Sequence, residues 1–180
     1  MNARRSAILK KLTYSAVCLA IAMLLPLLTG QIPQVGNALC PMHIPVFLCG
    51  FICGWPWGAV VGFISPLLRY LIFGMPPIFP QGISMAFELA AYGAIAGMMY
   101  KLLPKKIPYI YVSLISAMVV GRLVWGAVNF VIAGLGSTAF PFSAFFAGAV
   151  GNAVPGIILH IVLIPPIIIA LRKAKLILNQ

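Results

Sequence analysis

Two ionisable residues lie in apolar stretches of the sequence, where a charge is costly. Arg122 lies in the stretch from Tyr109 to Ala133, which is otherwise almost wholly apolar, and Glu88 is the only acidic residue of the chain. A guanidinium at the centre of a bilayer costs about 3 kcal/mol on insertion scales, unless an anion, backbone carbonyls or water surround it. A guanidinium also forms paired, charge-assisted hydrogen bonds with a carboxylate or phosphate. We therefore predict a binding site for a small anion around these two residues.

The expected helices bring these two residues to the same depth. The fourth helix, from Gln81 to Leu103, puts Glu88 about 10 Å below one membrane face at 1.5 Å per residue. The fifth helix, from Tyr109 to Ala133, enters from the opposite face. It puts Arg122 about 20 Å up, or roughly 10 Å from the face nearer Glu88 in a core of about 30 Å. The matching depths predict that the two side chains meet.

Further polar and aromatic residues fall near this depth. Asn152, on the sixth helix, lies about 10–15 Å below the same face, and Asn129 lies about two turns above Arg122. Their amides are expected to bind hydroxyl or amide groups of a solute. Trp125 either stacks on the ligand or packs against helices. The main alternative is a structural ion pair with Glu88, but the two interpretations are compatible because a paired arginine keeps spare donors.

Three residues near the expected outer face, Arg69, His43 and Met42, are less certain members of the site. Arg69 either extends to the lipid head groups or adds positive potential to the mouth of the cavity. His43 begins the second helix beside Met42, and local polar groups compete there with a ligand contact. His160 is expected deep in the inner half of the sixth helix and is interpreted as a packing residue.

The four cysteines offer a metal site as another possibility. Cys49 and Cys53 are four residues apart on one helical face, and Cys40 and His43 lie just before them. This spacing is not a CxxC pair, and no carboxylate lies nearby in the sequence. We therefore expect these thiols, with Cys18, to pack inside membrane helices, and we predict no metal site.

Composition predicts a single all-α integral membrane domain over residues 1–180. The chain is 63% hydrophobic and only 7% charged, whereas about a quarter of a soluble domain is charged. Its net charge of +11 does not indicate nucleic-acid binding, because ten of its twelve basic residues cluster in three segments beside apolar runs. These are Arg4, Arg5, Lys10, Lys11, Lys101, Lys105, Lys106, Arg172, Lys173 and Lys175. The positive-inside rule then places both termini in the cytoplasm.

Six transmembrane helices are predicted, at about residues 7–28, 43–54, 58–73, 81–103, 109–133 and 142–171. The second is short for a full span. The first is too long for the apolar part of a signal peptide and is interpreted as a retained helix. Trp55, Pro56 and Trp57 predict a tight turn, and prolines at 155 or 165–166 predict a kink in the sixth helix. Small residues spaced by four predict close helix packing. These pairs are Gly50 and Gly54, Gly58 and Gly62, Gly93 and Gly97, and Gly148 and Asn152.

Enzyme motifs are missing from the sequence. It has no Walker loop, no nucleophile elbow and no HExxH motif. One acidic residue cannot supply a pair of carboxylates for acid–base catalysis. We therefore predict that the protein is not an enzyme and that another polypeptide supplies the energy for any uphill transport.

Several stretches resemble a known transporter family. The six short-looped helices resemble the substrate-binding S components of energy-coupling factor (ECF) vitamin transporters. Cys40 to Gly54, CPMHIPVFLCGFICG, resembles the MHIP-type start of the second helix in one subgroup. The stretches FGMPP, FEL and GRLVWG, which begin at Phe73, Phe87 and Gly121, are similar to the same subgroup.

This resemblance implies partners, a location and a substrate class. It implies a bacterial inner-membrane receptor that binds a vitamin from outside, with a gating loop from Thr29 to Met42. Ala16 and Ala20, an AxxxA pair, would dock on a transmembrane coupling subunit, and two ATPase subunits would use ATP; the chain itself would need no cofactor. Pantothenate is the preferred substrate, with pyridoxine, hydroxymethylpyrimidine or another thiamine precursor, and niacin as alternatives. A stand-alone channel or facilitator and a membrane assembly factor are more distant hypotheses.

Overall fold

Six α-helices make up most of the part of the chain that the structure, a computed structural model, describes: residues 3–28, 39–135, 148 and 154–179. In chain order they are α1 Ala3–Leu28, α2 His43–Cys53, α3 Trp55–Phe73, α4 Ile83–Leu102, α5 Ile107–Leu135 and α6 Val154–Lys173. A short π-helical segment, Ile78–Gly82, leads into α4. These described residues contain no strand, so the predicted all-α architecture is confirmed.

Most of these helices can cross a bilayer. Five helical stretches among the described residues are long and apolar enough to do so: Arg5–Leu27, Trp55–Phe73, Ile78–Leu102, Ile107–Leu135 and Val154–Lys173. A span needs about 20 residues, and α2, although apolar, has only 11. The predicted multi-pass membrane protein with a short second helix is therefore confirmed.

The connection between α2 and α3 differs from the prediction. The turn predicted at Trp55, Pro56 and Trp57 is wrong, because all three residues belong to α3. The chain turns at Gly54 alone, whose φ of 99° is unfavourable for a residue with a side chain. Pro56 lies in the first turn of α3, where its missing N–H is not needed. One glycine therefore replaces the expected loop.

The last helix is described only in part. Its predicted start at Phe142 and the residue Asn152 lie outside the described residues. From Val154, α6 continues through Pro165 and Pro166 to Lys173, so these two prolines do not end the helix.

Close contacts between α2, α3 and α4 depend on the predicted small residues. A methyl group added to Gly58 of α3 would lie 2.6 Å from the carbonyl oxygen of Gly93 in α4. One added to Gly97 of α4 would lie 2.6 Å from the carbonyl oxygen of Gly50 in α2. Real side chains do not approach backbone so closely, so the prediction of close packing is confirmed at these positions. This packing sets the position of α4, which carries Glu88.

A C-terminal segment, residues 174–179, closes one end of the bundle. The Leu178 N–H donates to the carbonyl oxygen of Ile52 at 2.8 Å. The Asn179 side-chain amide donates to the carbonyl oxygens of Gly97 at 2.8 Å and Gly50 at 3.4 Å. Ile177 and Asn179 are both buried. The sequence analysis did not predict these contacts.

The two ends of the bundle differ in character. The Cys53 thiol contacts the Lys11 carbonyl oxygen at 3.6 Å, so the first part of α1 lies at the same end as the C-terminal segment. The ends of α4 and α6, with Lys101 and Arg172, lie there too. We call this the basic end. The opposite end, where α2 and α4 begin, is called the site end.

The cysteines do not gather into one site. Cys49 and Cys53 are fully buried in the core between α1 and α2, and the Cys49 thiol donates to the Ser15 hydroxyl at 3.5 Å. Cys40 lies instead at the site end, beside His43. Among the described residues, no three His, Cys, Asp or Glu side chains are placed to hold a metal ion together.

Candidate functional site

Glu88 and Arg122 are in contact, as their predicted depths required. A terminal guanidinium nitrogen of Arg122 lies 2.9 Å from Oε1 of Glu88. The Glu88 side chain is 2% exposed and that of Arg122 is 18% exposed. The pair joins α4 to α5. Because the Arg122 side chain is partly exposed and its guanidinium has five N–H donors, the arginine can donate to a further group.

Tyr92 completes the surroundings of the carboxylate. Its hydroxyl donates to the same Oε1 of Glu88 at 2.7 Å. The two residues are one turn apart and share a face of α4. The ring occupies the space above Gly121 of α5, where any side chain would collide with it. Tyr92 is not among the predicted site residues, although its spacing of four from Glu88 on a helix indicates this contact.

His43, the first residue of α2, is satisfied on one side only. Its Nδ1 lies 3.0 Å from the carbonyl oxygen of Cys40. Its Nε2 lies 3.9 Å from Oε1 of Glu88, which is too far for a hydrogen bond. That nitrogen is buried and has no hydrogen-bond partner. The prediction that local polar groups provide the hydrogen-bond partners of His43 is therefore correct for Nδ1, whereas Nε2 has no partner.

His160 belongs to the same cluster, so its predicted position in the inner half is wrong. Its ring stacks on that of His43, with centroids 5.7 Å apart and planes at 27°. The His160 and Phe47 rings are packed edge to face, with their centroids 5.7 Å apart. His160 lies six residues after Val154, the described start of α6, or about 9 Å along the helix. Because His43 begins α2 at the site end, the stacking of the two rings contradicts the predicted depth.

Two residues just before α2 adjoin this cluster. The Cys40 thiol interacts with the Arg122 side chain, and burial raises the pKa of this thiol to about 11, so it stays protonated near neutral pH. Met42 is buried in the hydrophobic core. Cys40 was predicted only as a packing thiol, because nothing in its spacing indicated an arginine neighbour.

The remaining predicted site residues of α5 have other contacts. The Asn129 amide donates to the Trp125 carbonyl oxygen at 2.8 Å, within the helix. The Trp125 indole packs on Gly148, where an added methyl would lie 2.6 Å from the ring. This supports the packing interpretation of Trp125. Asn152 lies outside the described residues.

Arg69 is turned toward α1. Its side chain is buried, and its guanidinium donates to the Met23 carbonyl oxygen at 3.2 Å. It also lies over the Phe73 ring at 5.2 Å. The predicted extension to the head groups is wrong, because a carbonyl of α1 and an aromatic face offer the guanidinium partners nearby. Within the described residues it forms no ion pair with Glu88.

The cluster therefore offers two kinds of polar group to a ligand. It offers positive charge with spare donors at Arg122, and it offers two unpartnered ring nitrogens at His43 and His160. It holds one carboxylate whose Oε1 already contacts Arg122 and Tyr92. This arrangement suits the binding of a small polar molecule.

A comparison with protein families shows what kind of protein carries this cluster. A family model described as the substrate-specific component of ECF transporters matches residues 10–168. This chain belongs to that family. No curated protein and no solved structure gives a significant match.

Membership fixes the general role. An S component is the substrate-binding part of a transporter and not an enzyme, so both predictions are confirmed. The family also implies a vitamin-type substrate and partners from the ECF module, which are a coupling subunit and ATPases.

Proposed function

We propose that this S component captures an anionic vitamin, with pantothenate as the preferred substrate, and that Arg122 binds its carboxylate. The observation that carries this proposal is the partly exposed Arg122 side chain, whose guanidinium lies 2.9 Å from the buried Glu88 carboxylate. Glu88 lowers the cost of holding a cation among apolar helices and fixes its orientation. The remaining N–H groups of the guanidinium then bind the ligand.

Ligand binding to purified protein tests this role. We expect tight binding of pantothenate, and a loss of about 10- to 150-fold in affinity in Arg122→Ala, because a charge-assisted hydrogen bond contributes about 1.5–3 kcal/mol. Lys173→Ala is the matched control, since it removes one basic side chain that is exposed at the basic end. Equal affinity of Arg122→Ala and the control, with both variants folded, would remove Arg122 from the site.

A panel of vitamins identifies the substrate in the same assay. Pyridoxine, hydroxymethylpyrimidine, thiamine and niacin are the alternatives to pantothenate. Tight binding together with absent uptake by the chain alone in vesicles is the expected result for a binding subunit. Uptake without partner subunits would instead favour a facilitator.

Docking on the coupling subunit is assigned to the exposed face of α1. Ala16 and Ala20 lie one turn apart and are both exposed, so a partner helix can approach their backbone closely. Ala16→Leu and Ala20→Leu should each reduce co-purification of the coupling subunit. Ala7→Leu is the control, because Ala7 is also exposed but lies on the opposite face of the helix at 100° per residue. Normal co-purification of all three variants would refute this assignment.

The orientation follows from charge. The basic end faces the cytoplasm of a bacterial cell by the positive-inside rule, and the site end then opens outward. In this arrangement the vitamin enters from outside, and the partner ATPases act at the basic end.

A further inference from the structure

Two ring nitrogens stand out among the described residues. Of all their buried side-chain nitrogen and oxygen atoms, only Nε2 of His43 and Nε2 of His160 have no hydrogen-bond partner. Both side chains are 3% exposed. Buried polar atoms in proteins are almost always paired, so unpaired ones call for an explanation. Here both lie on stacked rings beside Glu88 and Arg122.

The chemistry of His43 can be assigned from its neighbour. A carbonyl oxygen only accepts hydrogen bonds, so Nδ1 of His43 must carry the proton that binds the Cys40 carbonyl. Nε2 of His43 and Nε2 of His160 are then both left without a hydrogen-bond partner.

We propose that Nε2 of His43 and Nε2 of His160 form a hydroxyl-binding subsite, so that the substrate is a carboxylate that also carries hydroxyl groups. This inference rests on the proposed function and narrows its substrate class. A hydroxyl group both donates and accepts hydrogen bonds, so it can pair with each of these nitrogens. A cationic donor would be repelled by Arg122, whereas a neutral hydroxyl would not.

The distances allow one small molecule to reach both parts. Nε2 of His43 lies 3.9 Å from Oε1 of Glu88, and the same oxygen lies 2.9 Å from Arg122. The His160 ring stacks on that of His43, with centroids 5.7 Å apart. A ligand whose carboxylate binds Arg122 can therefore place hydroxyl groups against the imidazoles. Pantothenate has a carboxylate and two hydroxyls, niacin has a carboxylate without hydroxyls, and pyridoxine has hydroxyls without a carboxylate.

Calorimetric titration of the full-length protein with matched ligands tests the subsite. The ligands are pantothenate and an analogue in which hydrogen replaces both hydroxyls. His160→Phe, which keeps a ring of similar size, should weaken pantothenate binding about tenfold and leave binding of the analogue unchanged. His160→Gln, which restores a hydrogen-bonding group, should recover part of the loss. Arg122→Lys should weaken both ligands alike.

Each contrary result separates the subsite from the anion site. Equal losses for both ligands in His160→Phe, or no loss for either, would overturn the hydroxyl subsite while the proposed function stands. Tighter binding of niacin than of pantothenate by the wild type would do the same. If the wild type binds no carboxylate, the proposed function fails, and the hydroxyl subsite is then tested with pyridoxine. Pyridoxine must bind the wild type and bind His160→Phe more weakly. If it binds neither protein, or both equally, the subsite is overturned too.

Discussion

Replacing Glu88 by glutamine separates a structural ion pair from a ligand site. Glutamine keeps the shape and one acceptor for Tyr92 but removes the charge that faces Arg122 at 2.9 Å. Removing one partner of a buried pair costs about 3–5 kcal/mol. The Arg122 side chain is 18% exposed, so water can reach part of it. We therefore expect the free energy of unfolding to fall by about 3 kcal/mol, the lower end of that range.

A second substitution tests the origin of this loss. In the double variant Glu88→Gln with Arg122→Met, no unpaired charge remains, and replacing both members of a buried pair is often neutral. We therefore expect the double variant to regain most of the lost stability. It should not regain pantothenate binding, because the guanidinium is gone.

Thermal unfolding in detergent measures both effects. A loss of about 3 kcal/mol corresponds to a Tm lower by roughly 6–12 °C for a chain of this size. Lys173→Met is the control for removing a basic side chain and should leave Tm near the wild-type value. Equal destabilisation of the single and double variants would refute the ion-pair account. Wild-type ligand affinity in the double variant would make Arg122 purely structural.

Three further predictions concern other parts of the fold. Gly121→Leu should displace the Tyr92 ring and lower stability by about 1–3 kcal/mol, measured by thermal unfolding; an unchanged Tm would contradict the contact. Asn179→Ala should remove two hydrogen bonds that hold the C-terminal segment to α2 and α4, costing about 1–3 kcal/mol in total and speeding proteolysis of that segment; equal proteolysis rates would contradict its docked position. A single cysteine in place of Pro77 should react with a membrane-impermeant reagent added outside the cell, whereas one in place of Lys106 should react only when the reagent reaches the cytoplasmic face. The reverse pattern would show the opposite orientation.

The contact between Glu88 and Arg122 was predictable because both residues lie in long, regular helices. A constant rise per residue converts sequence position into depth when the membrane faces are known. Tyr92 was predictable in principle, since a spacing of four on a helix puts it beside Glu88. Gly121 supports the same contact from α5 by leaving room for the ring.

His160 and Asn179 could not be placed in this way. The depth of His160 depends on where its helix begins, and sequence patterns give helix boundaries poorly. Asn179 follows α6 and binds carbonyl groups of α2 and α4, which are distant in sequence. The contact of Arg69 was unpredictable for a related reason, because its partner is a backbone carbonyl of α1. Because every residue has a backbone carbonyl, a sequence pattern cannot show which of them accepts the hydrogen bond.

The single carboxylate also couples the site to the packing of the helices. Oε1 of Glu88 contacts Arg122 of α5 and Tyr92 of its own helix, and it faces His43 of α2. A ligand that turns the Arg122 side chain would therefore change the surroundings of the oxygen that also accepts the Tyr92 hydrogen bond in α4. Ligand binding and helix arrangement are linked at this one atom, so a ligand that binds the folded protein should raise its stability according to its concentration and affinity.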